Sequence, residues 1–196
     1  MIILKQLLCF GDSNTWGLIP KTNERYPWGV RWTSILQEKL QNVRILEEGL
    51  CGRTTIFDDA YRKNRNGLES LPEIGTNDCK SYYNSNPFKI AKGLGLCIDE
   101  FSKYISPEKI LIVSPIFLGE NVWKEEYDPE FDTNSVKTAK ALHNEYKRIA
   151  YEKNTNIISA ADYVQPSETD QEHLTAQGHE ILANAIFNAV VSASIV

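Results

Sequence analysis

The chain has 196 residues, 42% of them hydrophobic and 24% charged, which suits a single soluble domain spanning 1–196 with a full core. A formal charge of −5 argues against nucleic acid and anionic membrane surfaces as partners, since both favour basic patches. No apolar run is long enough to span a bilayer, and Met1 to Phe10 lacks the small-residue cleavage site of a signal peptide.

Met1 to Phe10 instead reads as a first strand, with Lys5-Gln6 interrupting its apolar run. Gly11 breaks it, and Asp12-Ser13-Asn14 are turn formers. A serine hydroxyl is therefore delivered at the tip of a strand, where open α/β sheets place reactive groups. A loop covers Gly17 to Pro27. Trp32, Ile35, Leu36 and Leu40 recur at helical spacing, predicting a helix from about Trp28 to Gln41. Val43 to Leu46 reads as a second strand, followed by a glycine-punctuated turn from Glu47 to Thr55. Asp58 to Gly67 is polar and loop-like, and Leu68 to Glu73 looks like the first turns of a helix.

Asn86-Pro87 is a helix start, with Asn as cap and Pro in the first turn. The apolar face Ile90, Leu94, Cys97, Ile98, Phe101 carries that helix to about Tyr104. Lys109 to Val113, between Pro107 and Pro115, predicts a central buried strand. Ile116 to Asp132 is a long loop, and loops of this length usually serve function. A helix is expected from Thr133 to Lys153, a last strand from Asn156 to Ala160, a loop from Tyr163 to Leu174 and a closing helix from Ala176 to Val191. Alternating strands and helices mean α/β with a mainly parallel sheet. Cys9, Cys51, Cys79 and Cys97 form no C-x-x-C pair. They read as free, packed thiols of a cytoplasmic protein rather than a zinc site or disulfide scaffold.

Serine is a poor nucleophile without a base. Of the three histidines, His143 and His179 fall within expected helices and read as packing or surface residues. His173 lies in a loop three residues after Asp170. A carboxylate at that spacing can hold one ring nitrogen and leave the other to face a serine. Both Ser13 and His173 follow strands, so they share the C-terminal edge of the sheet. Acyl transfer also needs donors for an oxyanion. Ser13 N–H, Gly52 N–H and the Asn77 side-chain amide are candidates, although singly Gly52 and Asn77 read as turn residues. Asp12 and Asp78 suggest a metal site only weakly, with one histidine nearby. Trp16, Ile116 and Phe117 lie just past strand ends and either line an apolar substrate pocket or simply pack.

Gly11-Asp12-Ser13, the turn Gly49 to Gly52, Gly75-Thr76-Asn77-Asp78 and Asp170-x-x-His173 occur in the order of the four blocks of the GDSL, or SGNH, hydrolase family. The words around them resemble its aryl-esterase/acyltransferase branch. The resemblance implies a three-layer α/β/α flavodoxin-like SGNH-hydrolase fold and a serine esterase acting on small-acyl esters through an acyl-enzyme, with transfer to alcohols as a second outcome. A carbohydrate O-deacetylase with the same triad, or a binding-only member, are the alternatives. It implies Ser13 as nucleophile, His173 as base and Asp170 as its orienting partner, with Ser13, Gly52 and Asn77 around the oxyanion. It implies a small-molecule ester substrate, no metal or organic cofactor, and a homo-oligomer. The sequence departs from the family at one place. An apolar strand should immediately precede Gly75, and Pro72-Glu73-Ile74 leaves no room for it. Either the printed sequence omits residues of the protein, which the intact flanking motifs favour, or the chain is an altered family member. A true loss would leave strand edges unpaired, open a large apolar surface next to strand one and make Asn77 the least secure site residue.

Overall fold

Strand alternation divides the protein into two apolar clusters. The computed structural model describes residues 5–59, 62–70 and 75–196. Its strands are β1 (Lys5–Gly11), β2 (Val43–Gly49), β3 (Leu111–Ser114) and β4 (Asn156–Ser159). Its helices are α1 (Ser13–Trp16), α2 (Trp32–Lys39), α3 (Gly67–Ser70), α4 (Pro87–Phe101), α5 (Thr133–Lys153) and α6 (Ala176–Ser192). Successive strand side chains point to opposite faces. Ile110, Ile112 and Ile157 join Leu94, Leu142 and Ile149 of α4 and α5. Leu111, Val113 and Ile158 join Leu36, Leu182 and Ile186 of α2 and α6. This is a three-layer α/β/α arrangement, as expected.

The sheet itself is interrupted. β1 pairs with β2 in parallel from Lys5↔Val43 to Gly11↔Gly49, and β3 with β4 from Leu111↔Asn156 to Ser114↔Ser159. Among the described residues these are separate two-stranded sheets. Between them lies a cavity of about 770 Å³ whose walls include Leu8 and Phe10 of β1 and Leu111 and Val113 of β3. Parallel strands are normally enclosed on both sides. β3 is therefore not the continuous-sheet strand that its sequence predicts: Ile112 and Ser114 are buried, while Leu111 and Val113 are only half-buried. The stretch Leu71 to Ile74, where the sequence falls short, lies outside the described residues.

Elsewhere the differences are local. α2 begins at Trp32 rather than Trp28 because Gly29 takes a left-handed φ of 85° and its N–H is held by Ser34 Oγ at 3.0 Å. β2 runs three residues further than expected, to Gly49. α4 stops at Phe101, with turns closing over Tyr104. α5 has the expected bounds, fixed at its start by a capping box between Asp132 and Ser135 and at its end by Asn154 in a left-handed conformation. None of the four cysteines is in a disulfide. Among the described residues no helix is long and apolar enough to cross a membrane.

His143 and His179 are packing residues. His143 Nδ1 lies 2.8 Å from Ser114 Oγ. The wholly buried His179 accepts the Trp32 N–H at 3.4 Å through Nδ1. Burial, aided by the nearby Arg31 charge, lowers its pKa to about 4 and keeps it neutral.

Candidate active site

The site starts where β1 ends. The chain turns at Asp12, whose carboxylate accepts the Asn14 N–H at 2.9 Å and caps the single turn of α1. Asp12 is buried, and desolvation raises its pKa against the opposing backbone hydrogen bond. Ser13 is thereby fixed as the first residue of that turn. β2 supports it from beside: a Cβ at Gly49 would stand 2.1 Å from the Trp16 backbone nitrogen, so only glycine lets the end of β2 approach α1 so closely.

His173 Nε2 lies 2.9 Å from Ser13 Oγ, and His173 Nδ1 lies 2.8 Å from Asp170 Oδ2. The residues are 160 and 3 apart in sequence. The loop carrying the second pair is self-organised. Asp170 Oδ1 accepts the N–H groups of Glu172 at 3.1 Å and His173 at 3.0 Å, and Ser167 N–H donates to the His173 carbonyl at 2.7 Å. All three side chains are largely buried. Burial alone would raise the Asp170 pKa, yet the hydrogen bond and charge of His173 hold it below the usual value. Burial alone would lower that of His173. The Glu172 charge, the Asp170 hydrogen bond and the Asp170 and Asp12 charges outweigh it and push it up to about 9.

Two residues that the sequence reading did not single out complete this arrangement. Asn14 clamps the histidine from both sides: its Oδ1 accepts the Leu174 N–H at 2.9 Å, and its Nδ2 donates to the Glu172 carbonyl at 3.4 Å. Glu172, buried, places Oε2 3.8 Å from His173 Nδ1. Burial raises its own pKa against the charges of His173 and Lys80. Lys80 is equally buried and pairs with Glu130, with Asp128 at 3.9 Å. Asn14 and Glu172 adjoin Ser13 and His173 in sequence, which is the one signal that could have found them. Nothing in the sequence brings Lys80 to Glu172.

Asn14→Ala should lower kcat for an activated ester by about 10²-fold, because small misplacements of a catalytic pair cost that much. Steady-state kinetics would show it, with the unfolding midpoint reporting separately on any loss of stability.

The segments that carry the oxyanion candidates are tied together by hydrogen bonds. Leu50 N–H donates to the Gly11 carbonyl at 2.8 Å, and so does Arg53 Nη1. Asn77 Nδ2 donates to the Arg53 carbonyl at 3.0 Å. Asp78 accepts the Thr55 N–H at 2.9 Å and the Thr55 hydroxyl. These ties join the turn after β2 to the tip of β1 on one side and to residues 75–79 on the other. They explain why Asn77 is buried and anchored. Gly52 has φ 80°, a conformation that favours glycine. Among the described residues neither Ser13 N–H nor Gly52 N–H has a hydrogen-bond acceptor. The carboxylates of Asp12 and Asp78 are both engaged with backbone and hydroxyl donors. Their roles are those of a cap and a turn anchor.

The pocket candidates separate. Ile116 is a core residue, buried with Trp32 and Leu174 and facing the cavity between the half-sheets. Trp16 and Phe117 are half-buried, and the Arg25 guanidinium lies 5.6 Å from the Trp16 ring centroid.

With this geometry in place, residues 9–181 match the model of the GDSL-like lipase/acylhydrolase family. The chain belongs to that family. This makes it a carboxylic ester hydrolase with the SGNH-hydrolase fold. Est24, a carbohydrate acetylesterase from Sinorhizobium meliloti, is similar with TM-score 0.86 and 32% identity over 96% of this chain and 99% of that one. The aryl esterase of M. smegmatis is similar with TM-score 0.85 and 28% identity, again over 96% and 99% of the two chains. No curated protein matches the chain.

Proposed function

We propose that this acylhydrolase cleaves small-acyl, acetyl-type esters through a covalent acyl-Ser13 intermediate. The carrying observation is the hydrogen-bonded series Ser13–His173–Asp170, at 2.9 and 2.8 Å. Ser13 Oγ attacks the ester carbonyl carbon while His173 Nε2 takes its proton. The imidazolium that forms is held by Asp170, which also fixes Nδ1 as the protonated nitrogen. The tetrahedral oxyanion is met by Ser13 N–H, Gly52 N–H and the second N–H of the Asn77 amide. His173 then returns the proton to the departing alkoxide. Water, or an acceptor alcohol where water is excluded, repeats the sequence on the acyl-enzyme and frees Ser13.

Incubation with a fluorophosphonate, followed by peptide mass analysis, tests this reading. Adduct on Ser13 and hydrolysis of 4-nitrophenyl acetate are expected. Absence of both would leave a binding-only family member. The likeness to Est24 favours a second reading, deacetylation of carbohydrates, and a panel of acetylated sugars against aryl and alkyl acetates separates the two.

The His173 environment sets the pH profile. Only neutral imidazole can accept the Ser13 proton, and the free-enzyme pKa is raised to about 9. Below that value the neutral fraction falls about tenfold per pH unit. kcat/KM for 4-nitrophenyl acetate should therefore climb from pH 6 and level off near pH 9, which initial rates corrected for spontaneous hydrolysis would reveal. A plateau already reached at pH 7 would show that the neighbouring carboxylates do not hold the imidazolium.

A further inference from the structure

The cavity between the half-sheets has walls that specify an occupant. We propose that it is a strand-complementation site, which binds one extended apolar peptide segment of about five residues between β1 and β3. Two kinds of wall meet there. The faces above and below are apolar, formed by Trp32 and Ile186 on one helical layer and by Phe101 at the end of α4. The sides are strands: β1 hydrogen-bonds with β2 on one edge, β3 with β4 on one edge, and no described strand lies between. A strand edge presents a row of backbone donors and acceptors that templates another strand. An acyl chain or other small apolar ligand would fill the volume of about 770 Å³ and leave those rows unmet, at a cost for every buried peptide group. Another stretch of peptide backbone satisfies both edges at once and still offers apolar side chains to the two faces.

The dimensions agree. β3 has four residues and β1 seven, so a segment of about five residues that pairs with both runs for about 16 Å at about 3.3 Å per residue. Side chains would alternate between the two helical layers, and both layers offer apolar surface. Apolar side chains on the cavity wall stand open: Leu8 is 42% exposed and Ile105 46% exposed. In peptide recognition of this kind, backbone pairing supplies affinity and alternate side chains supply specificity.

The probe is a fluorescein-labelled peptide, Lys-Val-Ile-Val-Ile-Val-Lys amide, titrated into the full chain by fluorescence anisotropy. Two further peptides carry N-methyl groups at alternate residues, one on each edge of the extended form. Saturable binding of the parent is expected, with each N-methylated peptide at least tenfold weaker. Backbone amides of both β1 and β3 should exchange more slowly with the parent bound. No binding, equal binding of all three peptides, protection of only one strand, or displacement by an equimolar amount of laurate would each overturn the proposal. None of these readouts depends on ester turnover, so the result stands apart from the assignment of Ser13.

Discussion

Replacing Ser13 with Ala should lower kcat for 4-nitrophenyl acetate by about 10⁶-fold, and removing His173 as well should cost almost nothing further. The two side chains act through one hydrogen bond of 2.9 Å, so either loss disables the same proton transfer. Residues that act as a unit are strongly non-additive, and a serine or histidine knockout in a comparable triad costs about as much as losing all three. A residual rate above that of water should survive in Ser13→Ala, because Gly52 N–H and Asn77 still polarise the bound carbonyl. A double-mutant cycle with single-turnover kinetics checks the prediction. Effects that multiply would mean that Ser13 and His173 contribute independently, and the acyl-enzyme would have to be abandoned. Stability offers a control: the Ser13 hydroxyl is small, its Cβ stays in place, and the unfolding midpoint of Ser13→Ala should stay close to that of the parent.

The particular residues show what a linear reading can reach. Asp170-x-x-His173 is legible because both partners lie on one loop, where three-residue spacing nearly dictates their contact. Ser13 is legible because the apolar run of β1 stops at Gly11. Helix α5 is legible in full because its period and both caps are local. Asn14 is not, since its value arises from Leu174 and Glu172, 160 and 158 residues away. Glu172 is the same case: a glutamate between Asp170 and His173 looks solvated until the fold buries it within range of the Lys80 charge. Ile116 shows the opposite limit. It follows the β3 strand, where the sequence leaves pocket lining and packing equally open, and it packs among Trp32 and Leu174 while facing the cavity. The shortage of residues before Gly75 was legible in the sequence. What could not be read was that hydrogen bonds between turns would hold Asn77, or that a cavity would lie between the two described half-sheets.

Asp170→Asn should lower kcat by about 10⁴-fold with little change in KM, a loss of the size expected when the triad histidine is held in the wrong tautomer. In the parent the carboxylate accepts from Nδ1–H at 2.8 Å, which leaves Nε2 free to accept from Ser13. An Asn amide donating to Nδ1 would shift the proton to Nε2, and the Ser13 hydroxyl would then face a donor. The direction of the pH shift distinguishes this from simple disruption. The Asp170 hydrogen bond and charge are among the forces that raise His173 to about 9. Without them the inflection in kcat/KM should move to lower pH even as the plateau falls. Glu172 works against complete collapse: with Oε2 3.8 Å from Nδ1, it still holds the imidazolium, together with the Asp12 charge. Glu172→Gln alone should therefore shift the inflection to lower pH while leaving the tautomer, and most of kcat, intact. A Glu172→Gln enzyme as crippled as Asp170→Asn would mean that the orienting role has been given to the wrong carboxylate.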